Sequence, residues 1–322
     1  MAGFAGHDAR QSIAVGLAGT ESEPLNIPDP REVDEGVDRT IANWRAWTDK
    51  FQYDGPWAAD VARSALALKL LLHSPSGAIA AAATTSLPEN PAGGKNWDYR
   101  YAWVCDTAYT LRALIRFGVR EEVHAAVAWL LKVIRANDPL VNVLYTLGGE
   151  LPGGTERPDV PGWRGIGPVV NGNRAADQLQ LSIFGDLFSI VWLYVDAGNV
   201  LDASTGRLLA TIADQTCDSW QQRDAGIWEL EDEQHFTSSK LGCWQALDCA
   251  VYLAEDGQIP GIPDRWRAER ANQGVHRREL LVGRAAVLHG ISRRGRARCF
   301  GTAGGGADHR TLARCHHEAI GE

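Results

Sequence analysis

With 322 residues and a hydrophobic fraction of 45%, the chain is long enough for one large domain or two ordinary ones around a sizeable core. A net charge of −8 and a pI near 5.6 argue against a nucleic-acid partner, whose phosphates call for a basic face. Met1 to Asp8 has neither the basic start nor the apolar centre of a secretory signal, and no apolar run reaches membrane-spanning length, so the expectation is a cytoplasmic protein without a membrane partner. The six cysteines lack C-x-x-C spacing, which points to buried free thiols and to no metal site; no cofactor is indicated.

Residues 12–18 alternate weakly and read as a strand, followed by the proline-rich turn Pro24 to Pro30. From Val33 the pattern turns helical, with Val37, Ile41, Trp44 and Trp47 three or four apart, and it breaks at Tyr53 to Pro56. Asp60 to His73 reads as a second helix, apolar enough along Ala65 to Leu72 to be buried on most sides. Helices are expected at 107–117, 121–136, 174–197, 203–220 and 239–256. The glycine- and proline-rich stretch from Tyr145 to Asn173 is too long for a mere connector and reads as a site wall or lid. The fold class is therefore all-α, a toroid of paired helices with its site at one end.

Two stretches carry chemistry. In Asp224-Ala225-Gly226-Ile227-Trp228-Glu229, a carboxylate follows apolar and aromatic residues, where desolvation raises its pKa and makes it a candidate general acid. Trp228 offers a face on which a sugar ring can stack, and the polar run to Lys240 could line the same cleft. The alternative is a turn whose Glu caps the helix beginning near Ser238. In Asn96 to Asp106, four aromatic residues are interleaved with Asp98, Arg100 and Asp106, a mixture suited to sugars. An Asp98–Arg100 ion pair anchoring a loop is an equal alternative, and Asp106 could instead cap the next helix.

Taken in order, Thr84 to Glu89, Asn96 to Asp106, Pro168 to Gln180, Gly226 to Glu229 and His235 to Asp248 resemble glycoside hydrolase family 15, the glucoamylase and trehalase-like enzymes. The resemblance covers roughly residues 12–270. It implies an (α/α)6 barrel preceded by a β-sandwich, and inverting hydrolysis of an α-glucoside or oligosaccharide by a general-acid Glu and a general-base Glu. It places the acid at Glu229, Trp228 in the cleft wall, and sugar-binding groups at Trp97, Asp106 and Lys240; Asn173 and Gln178 match a further motif. The chain departs from the family at Cys105 and Val170, where the family carries arginine, and neither residue can replace a forked cation.

From Asn272 onward the composition changes. No tryptophan occurs there, five of the nine histidines do, and nine arginines face four acidic residues. A His309, Cys315, His316 and His317 cluster fits no standard zinc spacing. Two readings account for the change: a genuine basic tail, or a one-base slip in the coding frame, since read one base later the stretch from Asn272 permits Ile-Arg-Ala-Phe-Ile-Asp-Glu-Asn-Cys-Trp-Ser, an amphipathic helix and turn. The expected organisation is a remnant of a β-sandwich and linker over 1–32, a partial (α/α)6 barrel over 33–271 and a poorly packed tail over 272–322. Beyond residue 256, Glu269, Glu279, Glu318 and Glu322 lie in no motif resembling the family's base. A hydrolase impaired by the missing base is expected, the alternative being a non-catalytic carbohydrate-binding or degenerate fragment.

Overall fold

A computed structural model of the chain describes residue 24 and residues 29–273, apart from 52, 54, 138–140 and 262. The strand expected at 12–18 and the tail from 274 onward lie outside the described residues. Seven helices are described with their bounds: α1 (Pro30–Thr48), α2 (Ala58–Leu70), α3 (Val104–Arg116), α4 (Arg120–Ala136), α5 (Ser182–Asp196), α6 (Ala203–Ser219) and α7 (Thr237–Glu255). A further helical run covers residues 263–273. Among the described residues the named strands form two small antiparallel pairs, the hairpin of β1 (Thr85–Pro88) with β2 (Asn96–Asp98) and the long-range pair of β3 (Ala102–Trp103) with β4 (Leu144–Tyr145), beside three isolated bridges.

Local chemistry starts the helices where the chain allows. Asp29 caps α1 in a capping box with Glu32 and with proline at the first turn. Asp202 accepts from the Ser204 and Thr205 amides to start α6. Packing then decides which helices are buried. Helix α5 lies between α3 and α7, so Ile183, Leu187, Phe188, Ile190 and Val191 are buried around its circumference. Its backbone approaches α7 so closely that a Cβ on Gly185 would stand 2.6 Å from the Gly242 carbonyl oxygen. Helix α4 backs α3 and α6 backs α7, giving helix pairs with Leu111, Leu130, Ile134 and Leu247 in one continuous core.

The outer N-terminal pair is less buried than its pattern predicts. On α1, Trp47 is buried but Val37 and Ile41 are exposed, and on α2 only Ala65 is buried while Leu70 faces solvent. The cause is contact: α2 meets α1 and α3 alone among the helices with substantial packing. Trp47 Nε1 (2.7 Å) and Lys69 Nζ (2.9 Å) both donate to Glu122 Oε1, which ties α1, α2 and α4 together.

The helix expected from residue 174 does not start there. Asn173 Oδ1 accepts from the Ala175 amide and supports only a 3₁₀ turn, Arg174–Asp177, after which Gln178 is extended. The backbone groups that follow are claimed by tertiary partners: the Leu181 amide donates to Asp224 Oδ2, and the Leu179 carbonyl accepts from Ala225 N–H. This keeps Gln178 to Gln180 as an extended segment, and α5 begins only at Ser182.

Candidate active site

The segment that carries Glu229 is pinned from beneath. Asp224 is fully buried, accepts from Leu181 N–H (2.9 Å) and Ser239 Oγ (2.6 Å), and forms a backbone bridge with Gln234. Gly226 takes a positive φ of 66°, and the Phe236 ring lies so close that a Cβ would meet it at 2.6 Å. Glu229 itself has φ 53°, the left-handed region that costs a non-glycine residue on the order of 1–3 kcal/mol. Surroundings hold the strained residue: its carbonyl accepts from Gln178 Nε2 at 3.1 Å, and its carboxylate accepts from Trp103 Nε1 at 2.9 Å. The Gln180 side chain hydrogen-bonds to the same carboxylate and, through Nε2, to Gln178 Oε1 at 3.2 Å. The extended run at 178–180 therefore turns both glutamines, two residues apart, toward one target.

Burial pushes the Glu229 carboxyl above the ordinary range, and the nearby Asp106 charge adds to this, while the hydrogen bonds from Trp103 and Gln180 and the Arg174 charge oppose it. Asp106 stands in the first turn of α3, immediately after the β3–β4 pairing of Trp103 with Leu144 has fixed the strand. It retains solvent contact, yet the surrounding protein also pushes its carboxyl up. Behind it, Cys105 hydrogen-bonds to Asp186 of α5; burial drives the thiol well up and raises Asp186 to about 6, with Arg112 opposing.

The other expected residues divide by environment. Asp98 is fully buried and holds Arg100 in a bidentate pair, Nε to Oδ1 and Nη2 to Oδ2, both 2.8 Å. Burial pushes its pKa up, but the Arg100 hydrogen bonds and the Gly172 amide outweigh this and hold it below the usual value. Asn173 Nδ2 donates to the Asp98 carbonyl at 3.2 Å. The geometry is thus that of the anchoring ion pair, clipping β2 to the long loop at Asn171 to Asn173. Lys240 is buried and donates to the Gln222 carbonyl at the entry to the Glu229 segment, and burial lowers its pKa. Trp228 is 77% exposed. Trp97 lies under the Arg174 guanidinium, 5.2 Å from the ring centroid, and Arg174 pairs with Glu231.

Three residues that contact this network are not singled out by the sequence patterns. Gln180 is buried beside Gln178, Asp186 is a carboxylate set into an apolar helix, and Glu89 accepts from both Trp97 Nε1 (3.3 Å) and Tyr99 Oη (2.6 Å). The signal for Asp186 was present in the sequence as an isolated charge among Ile183, Phe184, Leu187 and Phe188. Glu269, one of the late glutamates, accepts from Trp220 Nε1 at 3.0 Å. Among the described residues, no helix is long and apolar enough to cross a membrane.

Comparison with known proteins bears on this arrangement. The family model for glycosyl hydrolases family 15 matches residues 57–277. A trehalase of Mycobacterium tuberculosis is 38% identical over 251 residues, covering 75% of this chain and 37% of that protein. A trehalase of Mycolicibacterium smegmatis is 36% identical over 274 residues, 80% of this chain and 41% of that protein. A trehalase of Thermoplasma acidophilum is 32% identical over 232 residues, 72% of this chain and 40% of its own length. The chain thus spans about two fifths of the length of these curated relatives. A solved structure of a glycosidase variant has a TM-score of 0.50 at 16% identity, covering 69% of this chain and 56% of that one, a likeness of fold.

Proposed function

The chain belongs to glycosyl hydrolases family 15, and from that membership we propose that it carries the acid half of an inverting α-glucosidase site, with Glu229 as the general acid. One observation carries the reading: a carboxyl with its pKa raised by burial is held on strained backbone by donors from two other segments, Trp103 and Gln180. Strain at a single polar residue, stabilised by its surroundings, is common at reactive positions, and a raised pKa keeps the proton needed by a leaving oxygen. In the reaction Glu229 protonates the glycosidic oxygen while Trp97 and the exposed Trp228 supply faces for sugar rings. Asp106 and the Gln178–Gln180 pair supply hydrogen bonds to hydroxyls, and Asp98, Arg100, Asn173 and Lys240 hold the loops that bear these groups. The relatives reported above are trehalases, which makes trehalose the first substrate to test and maltose the second.

Inversion also needs a second carboxylate roughly 6.5–9.5 Å from the first, with water between it and the anomeric carbon. We assign no such base among the described residues; Glu269 is bound to Trp220, and Glu279, Glu318 and Glu322 lie outside them. Little hydrolysis of trehalose or maltose is therefore expected of the 322-residue chain. A frame-corrected, full-length version should recover it, and Glu229→Gln in that version should cut turnover on the order of a hundredfold or more. Near-normal turnover in the Gln variant places the acid elsewhere. A second reading, sugar binding without turnover, is favoured by Cys105, whose thiol meets Asp186 where the family carries a guanidinium. Measurable trehalose binding by the chain, with no cleavage in either version, would support it.

A further inference from the structure

Glu89 lies just past β1 at the turn of the first hairpin, where its amide donates to the Lys95 carbonyl at 3.0 Å. Trp97 and Tyr99, two residues apart around the end of β2, both reach back to its side chain, the indole N–H to Oε2 at 3.3 Å and the phenol to Oε1 at 2.6 Å. Each aromatic then continues toward the acid. The Tyr99 ring packs on Trp103 with centroids 5.9 Å apart, and Trp103 Nε1 donates to Glu229 Oε1 at 2.9 Å. The Trp97 ring carries the Arg174 guanidinium, whose charge bears on Glu229. Burial, then the hydrogen bond to Glu89, and then the charges of Glu89, Glu229 and Asp106 push the Tyr99 phenol far up, so it stays a hydrogen-bond donor.

We infer that Glu89 is a positioning residue for the sugar site: its two carboxylate oxygens fix Trp97 and Tyr99 as a single wall, and through Tyr99 and Trp103 that wall holds Glu229 in place. The inference rests on the reading of Glu229 as the acid. A carboxylate suits the task because it accepts from two donors at once, whereas an amide offers one oxygen and turns an N–H toward the other partner.

The test reads the wall directly in the full 322-residue chain, labelled with ¹⁵N at the tryptophan indoles, by exchange of each indole N–H with solvent. Glu89→Ala should speed exchange about tenfold at both Trp97 and Trp103, although Trp103 does not touch residue 89. Glu89→Gln should speed exchange at Trp97 while leaving Trp103 near wild type, because the remaining oxygen can still take the Tyr99 phenol. Tyr99→Phe should do the reverse, affecting Trp103 and sparing Trp97. The Trp220 indole, bonded to Glu269, is the control for general loosening and should not change. Exchange at Trp103 within twofold of wild type in Glu89→Ala overturns the inference whatever happens at Trp97, as does an equal rise at Trp220. Exchange is read without turnover, so this outcome is separate from the fate of the acid assignment, which the Glu229→Gln rate decides.

Discussion

Removing one N–H from the Glu229 carboxylate should raise its pKa, the direction opposite to the one that the accompanying loss of burial would give. Trp103→Phe keeps an aromatic ring beneath the site and deletes only the 2.9 Å donor. A hydrogen bond to a charged group contributes about 1.5–3 kcal/mol, and one pKa unit corresponds to about 1.36 kcal/mol. Glu229 is partly open to solvent, which reduces the effect, so a rise of about one unit is expected. The sign follows from the charge state that the bond favours: Trp103 stabilises the carboxylate, and without it the neutral acid gains. Glu229 already sits above its ordinary value, so its protonated form contributes stability that is fully present below the unfolded pKa and lost as pH rises through the folded one. The variant should move the upper end of that window higher. Side-chain carboxyl ¹³C shifts followed from pH 3 to 8 report the midpoint at Glu229. A midpoint that stays put or falls in Trp103→Phe contradicts the hydrogen-bond account.

Asp186, raised to about 6 by burial, stabilises the fold as the neutral acid, so stability should fall as pH climbs from about 4 through 6, by on the order of 2–3 kcal/mol. Asp186→Asn should abolish that slope in urea melts at a series of pH values. Gly185→Ala should destabilise by about 1–3 kcal/mol, since its Cβ would overlap the Gly242 backbone where α5 crosses α7, and a drop in the urea midpoint at unchanged slope is the expected reading. Arg100→Ala should cost about 1.5–3 kcal/mol by leaving the fully buried Asp98 without its half-exposed bidentate partner, though with the Gly172 amide, and Arg100→Ala combined with Asp98→Asn should recover part of it.

The helices were legible in the sequence wherever an apolar stripe met a packing partner. The stripe on α4 is buried at Val123, Val127, Leu130, Leu131 and Ile134, as its spacing predicts. The same kind of stripe on α1 is exposed at Val37 and Ile41, because periodicity records which face could be covered and not what covers it. The later start of α5 has a similar cause: Arg174 to Leu181 has the composition of a helix, but its Leu181 amide is taken by Asp224 and its Leu179 carbonyl by the Ala225 amide, which sequence spacing does not reveal. The short hairpin of β1 and β2 was too brief and too irregular, with Pro88 at its end, to show a period.

At the site, sequence singles out Glu229 and Asp106 because each stands in a local pattern of aromatic and small residues; that the Asp106 charge acts on Glu229 is visible only in the structure. Asp98 and Arg100 were legible as a pair, but whether they faced sugar or each other depended on burial, and Asp98 is closed. Trp103 was read as one aromatic among several, since its partner lies 126 positions away. Glu89 and Gln180 were hidden for the same reason: their meaning lies in the atoms that they gather from other segments.

The most direct test of Glu229 as the general acid compares leaving groups that differ in their need for a proton. In the frame-corrected, full-length version, Glu229→Gln should slow trehalose cleavage about a hundredfold or more, yet change release of fluoride from α-glucosyl fluoride only a few-fold, because fluoride departs without protonation. Equal losses on both substrates, or no loss on trehalose, would contradict the assignment.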